Sequence, residues 1–200
     1  MKSLFEKAIK YATEKHSGQI RKDGTIYILH PFEVATIVST ITKDEEVLTS
    51  ALLHDVIEEC DVDIEEITEL FGKRVGKIVD LETEPKFSEL SKIESWKFRK
   101  EEAIRRLEQT DDIGFKIVYL SDKLSNIRAL YRDIQINGIN AFNKFNISDI
   151  KEQRWYYYSI LNVLKELNEF EAYKELDTKI NYIFKTYGKE LDNGKENYIL

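Results

Sequence analysis

Residues 44–60 read DEEVLTSALLHDVIEEC, and their spacing predicts a helix whose face changes chemistry halfway along. Val47, Leu48, Ala51 and Leu52 form an apolar stripe. At the same spacing the stripe continues into His54, Asp55, Glu58 and Glu59. His54 and Glu58 are four apart and Asp55 and Glu58 three apart, so they are neighbours on one helix face. A face that begins as core thus ends in four ionisable groups. Buried carboxylates cost several kcal/mol unless something pairs with them. A metal ion satisfies imidazole nitrogen and carboxylate oxygen together. A helix end that has reached solvent carries the same residue types, so the doublet alone leaves both readings open.

The flanking chain reads as helix almost throughout. Two prolines and eight glycines in 200 residues disfavour a turn-rich all-β fold. The spacing predicts helices over 2–16, 31–41, 44–60, 63–71, 73–83, 92–109, 113–132, 149–167 and 169–187. Pro31 suits a first helical turn, and Asp111 or Asp112 suits the cap of the helix at 113. Residues 84–90, with Pro85, and the Asn-rich residues 134–148 read as connections. Residues 16–25, HSGQIRKDGT, form a polar loop in which two glycines bracket Arg21 and Lys22. A short hairpin near 20–29 is possible. The expected architecture is a single all-α domain over 1–188, with a polar, frayed tail over 189–200.

Apolar residues are 42% and charged residues 34% of the chain, a globular balance with room for a sizeable core. No apolar run approaches the ~18 residues of a membrane helix, and charges interrupt the N-terminal segment, so neither a membrane span nor a secretory signal is expected. The net charge of −7 argues against coating nucleic acid, though not against a local basic pocket. Cys60 is the single cysteine, which excludes an internal disulfide and makes a reducing cytoplasm the expected setting.

Two further positions stand out. The histidines are His16, His30 and His54, and the first two flank the basic loop. His30 lies at the entry to an apolar helix. Asp122 is embedded in IVYLSDKLSNIRAL (117–130), a helix apolar on nearly every side, with Asn126 one turn further on the same face. An Asp there is either a buried charge with a partner or part of a site.

Together, His30, the doublet His54-Asp55 and the distant Asp122 resemble the H…HD…D signature of the HD superfamily of metal-dependent phosphohydrolases. The surrounding text, HSGQIRKDGTIYILHP, ALLHDVIEE and LSDKLSNIRAL, is similar to the hydrolase domain of RelA/SpoT-type enzymes and to the small stand-alone alarmone hydrolases. The likeness runs through about 4–132, and the RWYYY helix near 154–158 resembles the C-terminal part (about 149–187) of those domains.

The resemblance implies that His30, His54, Asp55 and Asp122 ligate one divalent metal, Mn²⁺, although such a set also admits Fe, Co or Zn. It implies that Arg21 and Lys22 lie against the nucleotide base, that Tyr27, Asn126 and Arg128 bind substrate, and that Glu58 and Glu59 position and deprotonate the attacking water. The reaction implied is hydrolysis of guanosine 3′,5′-bis(diphosphate) (ppGpp) to GDP and pyrophosphate. The partner is then a small nucleotide rather than a nucleic acid or a membrane, and the oligomeric state stays open.

Three positions depart from the family pattern. Glu59 stands where Asp is usual, Ala129 where Thr is common, and Ile26 where Pro precedes the Tyr. These leave open another nucleotide substrate: an adenosine alarmone, the 2′-phosphate of NADPH, or a nucleoside monophosphate. A module that senses nucleotide without turnover is the remaining alternative, against which all four ligands and both acids are present. Lys123 joins Arg21, Lys22 and Arg128 as a cation near the motifs. Trp96 reads as packing a surface helix, residues 97–102 as a solvated charged face, and Trp155 and Tyr156–Tyr158 as core and rim.

Overall fold

The computed structural model describes residues 3–193 except 86 and 88, with side chains up to 187. Among the described residues ten α-helices run in order: α1 (Leu4–Lys15), α2 (Leu29–Ile41), α3 (Glu45–Leu53), α4 (Val56–Glu59), α5 (Ile64–Phe71), α6 (Lys73–Glu82), α7 (Trp96–Gln109), α8 (Ile113–Asn137), α9 (Ile150–Val163) and α10 (Glu171–Asn193). Short 3₁₀ turns at Gly138–Lys144 and Leu164–Leu167 follow α8 and α9. The fold is all-α.

The 25-residue α8 is the axis of the bundle. Phe115, Val118, Leu120, Leu124 and Ile127 are fully buried and point in different directions around it. Such a helix must be enclosed by neighbours, and α2, α3, α6 and α10 all pack on it. The Asp112 carboxylate caps it by accepting from the Gly114 N–H at 2.9 Å. Gly114 allows close approach to α3, since a Cβ there would lie 2.7 Å from Val47 Cγ2. Leu124→Ala should cost about 2–5 kcal/mol, because a hole at the axis cannot collapse easily. Denaturant unfolding would measure this, and a loss under about 1 kcal/mol would show that α8 is not the packed centre.

Several features differ from the sequence expectation, among them the start of α7 at Trp96 rather than 92 and the end of α9 at Val163 rather than 167. The helix expected over 44–60 is two helices, broken at His54 and Asp55. His54 Nδ1 donates to the Ala51 carbonyl at 2.9 Å, the acceptor that the Asp55 N–H would take in an unbroken helix. The helix expected over 113–132 continues to Asn137, and a 3₁₀ turn fills much of the expected connection. The last helix runs to Asn193, past the expected tail boundary at 188; residues 194–200 lie outside the described residues. The possible hairpin reduces to one antiparallel bridge between Ile20 and Ile26. Gly24, with φ +85°, turns the chain there, and the Arg21 N–H reaches the Thr25 carbonyl at 2.8 Å.

Candidate metal centre and anion cleft

The break between α3 and α4 places His54 and Asp55 at the base of a cleft against α8. His30 enters from the first turn of α2 and Asp122 from the middle of α8. His30, His54 and Asp122 are buried and each offers a ligand atom within 4.8 Å of the others. Asp55 joins them: its Oδ1 lies 3.3 Å from His54 Nε2 and its Oδ2 3.6 Å from His30 Nε2.

The hydrogen bonds fix how these imidazoles face. The Ala51 carbonyl can only accept, so His54 carries its proton on Nδ1. His30 Nδ1 lies 2.9 Å from Ser125 Oγ, whose own proton goes to Glu33 Oε2 at 2.8 Å, so His30 Nδ1 is also the donor. Both Nε2 atoms therefore face carboxylates. His30 Nε2 is 3.0 Å from Asp122 Oδ1, and His54 Nε2 is buried without a hydrogen-bond partner among the described residues. Each Nε2 needs a proton or a metal between it and the carboxylates, and two imidazoles with two carboxylates suit a divalent metal.

The electrostatics carry the same demand. Burial works against a charge on His54, but Asp55, Asp122 and Glu82 outweigh it and raise its pKa to about 10. Burial likewise opposes the Asp122 carboxylate, yet Lys123 and the two imidazoles hold it well below the usual range. Burial lowers the His30 pKa against the pull of Asp122 and Asp55.

Beside this cluster opens a cleft of about 420 Å³, a size suited to a small ligand. Glu58 and Glu59 both line it. Solvent reaches Glu58 from the mouth, but crowding by protein, then Glu84 and Asp55, raises its pKa to about 7. Arg21, Lys22, Arg99, Lys100, Lys123 and Lys144 bring six cations to the walls of a chain that is acidic overall.

The loop residues are tied directly to the cluster. Arg21 Nη2 donates to Asn126 Oδ1, and Asn126 Nδ2 donates to Asp122 Oδ1, both at 2.7 Å. Tyr27 donates to Asp55 Oδ2 at 2.7 Å, and His16 stacks on its ring at 4.8 Å. Tyr27 thus buttresses Asp55, with one ring face already covered. Lys22 spans the cleft mouth to the Lys144 carbonyl and Asn146.

Arg128 does not join the cleft. It turns toward α2 and α10, where Nε and Nη2 engage Glu175 at 2.8 and 2.5 Å and Nη1 engages Glu33 at 3.2 Å. Conversely, the expected solvated face at 97–102 supplies Arg99 and Lys100 to the cleft wall, both paired with the mostly buried Glu84. Trp96 is buried against Trp155 and Tyr156, where it packs the partly exposed α7 onto α9, and it also lines the cleft. Tyr156 and Tyr157 also line the cleft. Glu82 was not marked by the sequence pattern. Burial raises its pKa to about 8, although Lys123 lies 3.7 Å away.

This helical chain belongs to the HD domain family: the HD domain model matches residues 8–142, which carry all four of the clustered His and Asp residues. Two curated relatives are similar. The Guanosine-3′,5′-bis(diphosphate) 3′-pyrophosphohydrolase of Aquifex aeolicus (strain VF5) is 32% identical over 202 residues, covering 98% of this chain and 28% of the relative. A GTP pyrophosphokinase of Myxococcus xanthus is 38% identical over 130 residues, covering 64% of this chain and 17% of the relative. The chain thus spans less than a third of the length of either. A solved structure described as "A metazoan ortholog of SpoT hydrolyzes ppGpp and plays a role in starvation responses" superposes with a TM-score of 0.70 at 28% identity, covering 94% of this chain and 97% of that one. Among the described residues no helix is long and apolar enough to cross a membrane.

Proposed function

We propose that the chain hydrolyses ppGpp to GDP and pyrophosphate, using a divalent metal, Mn²⁺, held by His30, His54, Asp55 and Asp122. The observation that carries this reading is the convergence of two imidazole Nε2 atoms with the Asp55 and Asp122 carboxylates beside a cleft lined by six cations. The likeness in sequence and in fold to proteins named for this activity supports it.

When bound at His30, His54, Asp55 and Asp122, the metal would supply Lewis acidity to the hydrolysis. The rest falls to the chain. Arg99, Lys100 and Lys123 offset the charge of the pyrophosphate. Arg21 and Lys22 hold the purine end, where a flat guanidinium can stack on a base. Glu58, with a pKa of about 7, accepts the water proton. Water adds to phosphorus, the bond to the ribose 3′-oxygen breaks, and that oxygen leaves with a proton as part of GDP. Glu59 lines the cleft beside Glu58 as a second carboxylate. The reading carries a cytoplasmic setting with it, where nucleotide substrates are found.

The test is product analysis. Metal-stripped protein is incubated with ppGpp, with and without Mn²⁺, beside a His54→Ala control. GDP and pyrophosphate should appear only with metal and intact His54. Faster turnover of an adenosine alarmone, NADPH or a nucleoside monophosphate in the same assay would move the assignment to that substrate. Tight nucleotide binding without product would overturn hydrolysis itself.

A further inference from the structure

We propose that Ser125, Glu33 and Arg128 form a relay that positions His30 for the metal, anchored from the C-terminal helix by Glu175; this rests on the reading of the metal centre above. The relay is continuous. His30 Nδ1 donates to Ser125 Oγ, which donates to one oxygen of Glu33. The other Glu33 oxygen accepts from Arg128 Nη1, and the remaining edge of the guanidinium grips both oxygens of Glu175. His30 and Ser125 are buried, so water does not substitute readily for a lost partner.

The direction of these bonds decides their effect. His30 has two possible neutral tautomers. With its proton on Nε2, it would donate to Asp122 Oδ1, 3.0 Å away, and the lone pair needed by the metal would be gone. Ser125 opposes that tautomer because its only proton is committed to Glu33, leaving Oγ as an acceptor for Nδ1–H. Glu33 keeps Ser125 in that orientation, and Arg128 fixes the Glu33 carboxylate through a fork that a lysine cannot reproduce. Each member is a positioning residue for His30. Glu175 lies outside the residues matched by the HD domain model, so α10 contributes to the centre without touching it.

The test uses the metal alone. Mn²⁺ is titrated into metal-stripped wild type, Ser125→Ala, Arg128→Met and Arg128→Lys, with Arg105→Ala on the exposed face of α7 as a control. Ser125→Ala should weaken Mn²⁺ binding by about 10–100-fold, as loss of an outer partner of a metal ligand does. Arg128→Met should shift it in the same direction, Arg128→Lys should restore only part, and Arg105→Ala should leave it unchanged. Imidazole ¹⁵N shifts of the metal-free protein should show His30 protonated on Nδ1 in wild type, with Nε2 protonation gained in Ser125→Ala. With ppGpp, saturating Mn²⁺ should return kcat without a change in KM. Should Arg128→Met unfold, Glu33→Gln removes only charge and one acceptor and carries the same expectation. Wild-type Mn²⁺ affinity in Ser125→Ala would overturn the relay. So would a raised KM with unchanged Mn²⁺ affinity in Arg128→Met, since Arg128 would then contact nucleotide. A hydrolase assay that fails while these affinities shift would count against the activity and not against the relay.

Discussion

Asp122→Asn should abolish Mn²⁺ binding and hydrolysis together and also weaken the fold. Asp122 has three duties: it faces both imidazoles, accepts from Asn126, and pairs with the mostly buried Lys123. Neutralising it removes a ligand, so the loss in metal affinity should exceed the about 10–100-fold of an outer-partner mutation. It also strands Lys123, and breaking a buried pair costs about 3–5 kcal/mol. The lower end of that range is expected, because Glu82 remains 3.7 Å from Lys123. The Asp122 pKa is depressed, so this stability is present above the unfolded value and lost as pH falls through the folded one. The variant should thus differ most at neutral pH. Asp122→Asn combined with Lys123→Met should recover stability without recovering metal binding. Mn²⁺ titration and unfolding midpoints separate the two effects. Wild-type metal affinity in Asp122→Asn would remove Asp122 from the centre.

Glu58→Gln should lower kcat by about 10²–10⁴-fold, the usual contribution of a positioned general base. Its pKa of about 7 makes the carboxylate a base only in its ionised form, so wild-type kcat should fall as pH drops below that value. A divalent cation nearby favours ionisation and moves this limb lower. In Glu58→Gln the limb should disappear. Stability should respond in the opposite sense. The folded pKa lies above the ordinary 4.5, so the native state holds a proton that the unfolded chain releases. Wild type then loses stability as pH rises from about 4.5 to about 7, and Glu58→Gln should be the more stable protein at pH 8 and equal to it at pH 4. An intact acid limb in Glu58→Gln would assign the base to Glu59, which stands on the same short helix.

The parts of the site that were legible in the sequence are those that violate a pattern. His54 and Asp55 interrupt an apolar stripe, and Asp122 interrupts an apolar helix; both intrusions mark the centre. The break between α3 and α4 was not legible, since it depends on an imidazole taking a carbonyl from the helix ladder. Arg99 and Lys100 were hidden because a charge run reads the same whether solvent or Glu84 and Tyr156 face it. Tertiary packing of α7 on α9 decides between these. Arg128 is a different case, because the signal was present. At about 100° per residue, Asn126 and Ala129 fall within about 40° of Asp122 around α8, whereas Arg128 falls about 120° away. That phase sends it to Glu33 and Glu175, and the family likeness concealed it. Glu82 had no signal of its own, being one more acid at a helix end.

The enclosure of α8 also sets a hierarchy of motion. Amides at the middle of a helix buried on every side open only with global unfolding, so those around Leu120, Leu124 and Ile127 should be the slowest in the protein to exchange with deuterium. Residues 18–26 sit at the other extreme. They carry one β-bridge, and Ile20 and Ile26 are more than half exposed at 58% and 57%. Local opening there should be cheap and fast. The Arg21 to Asn126 contact joins these two regimes, so the Arg21 end of the cleft can breathe on timescales over which the carboxylate on α8 stays still.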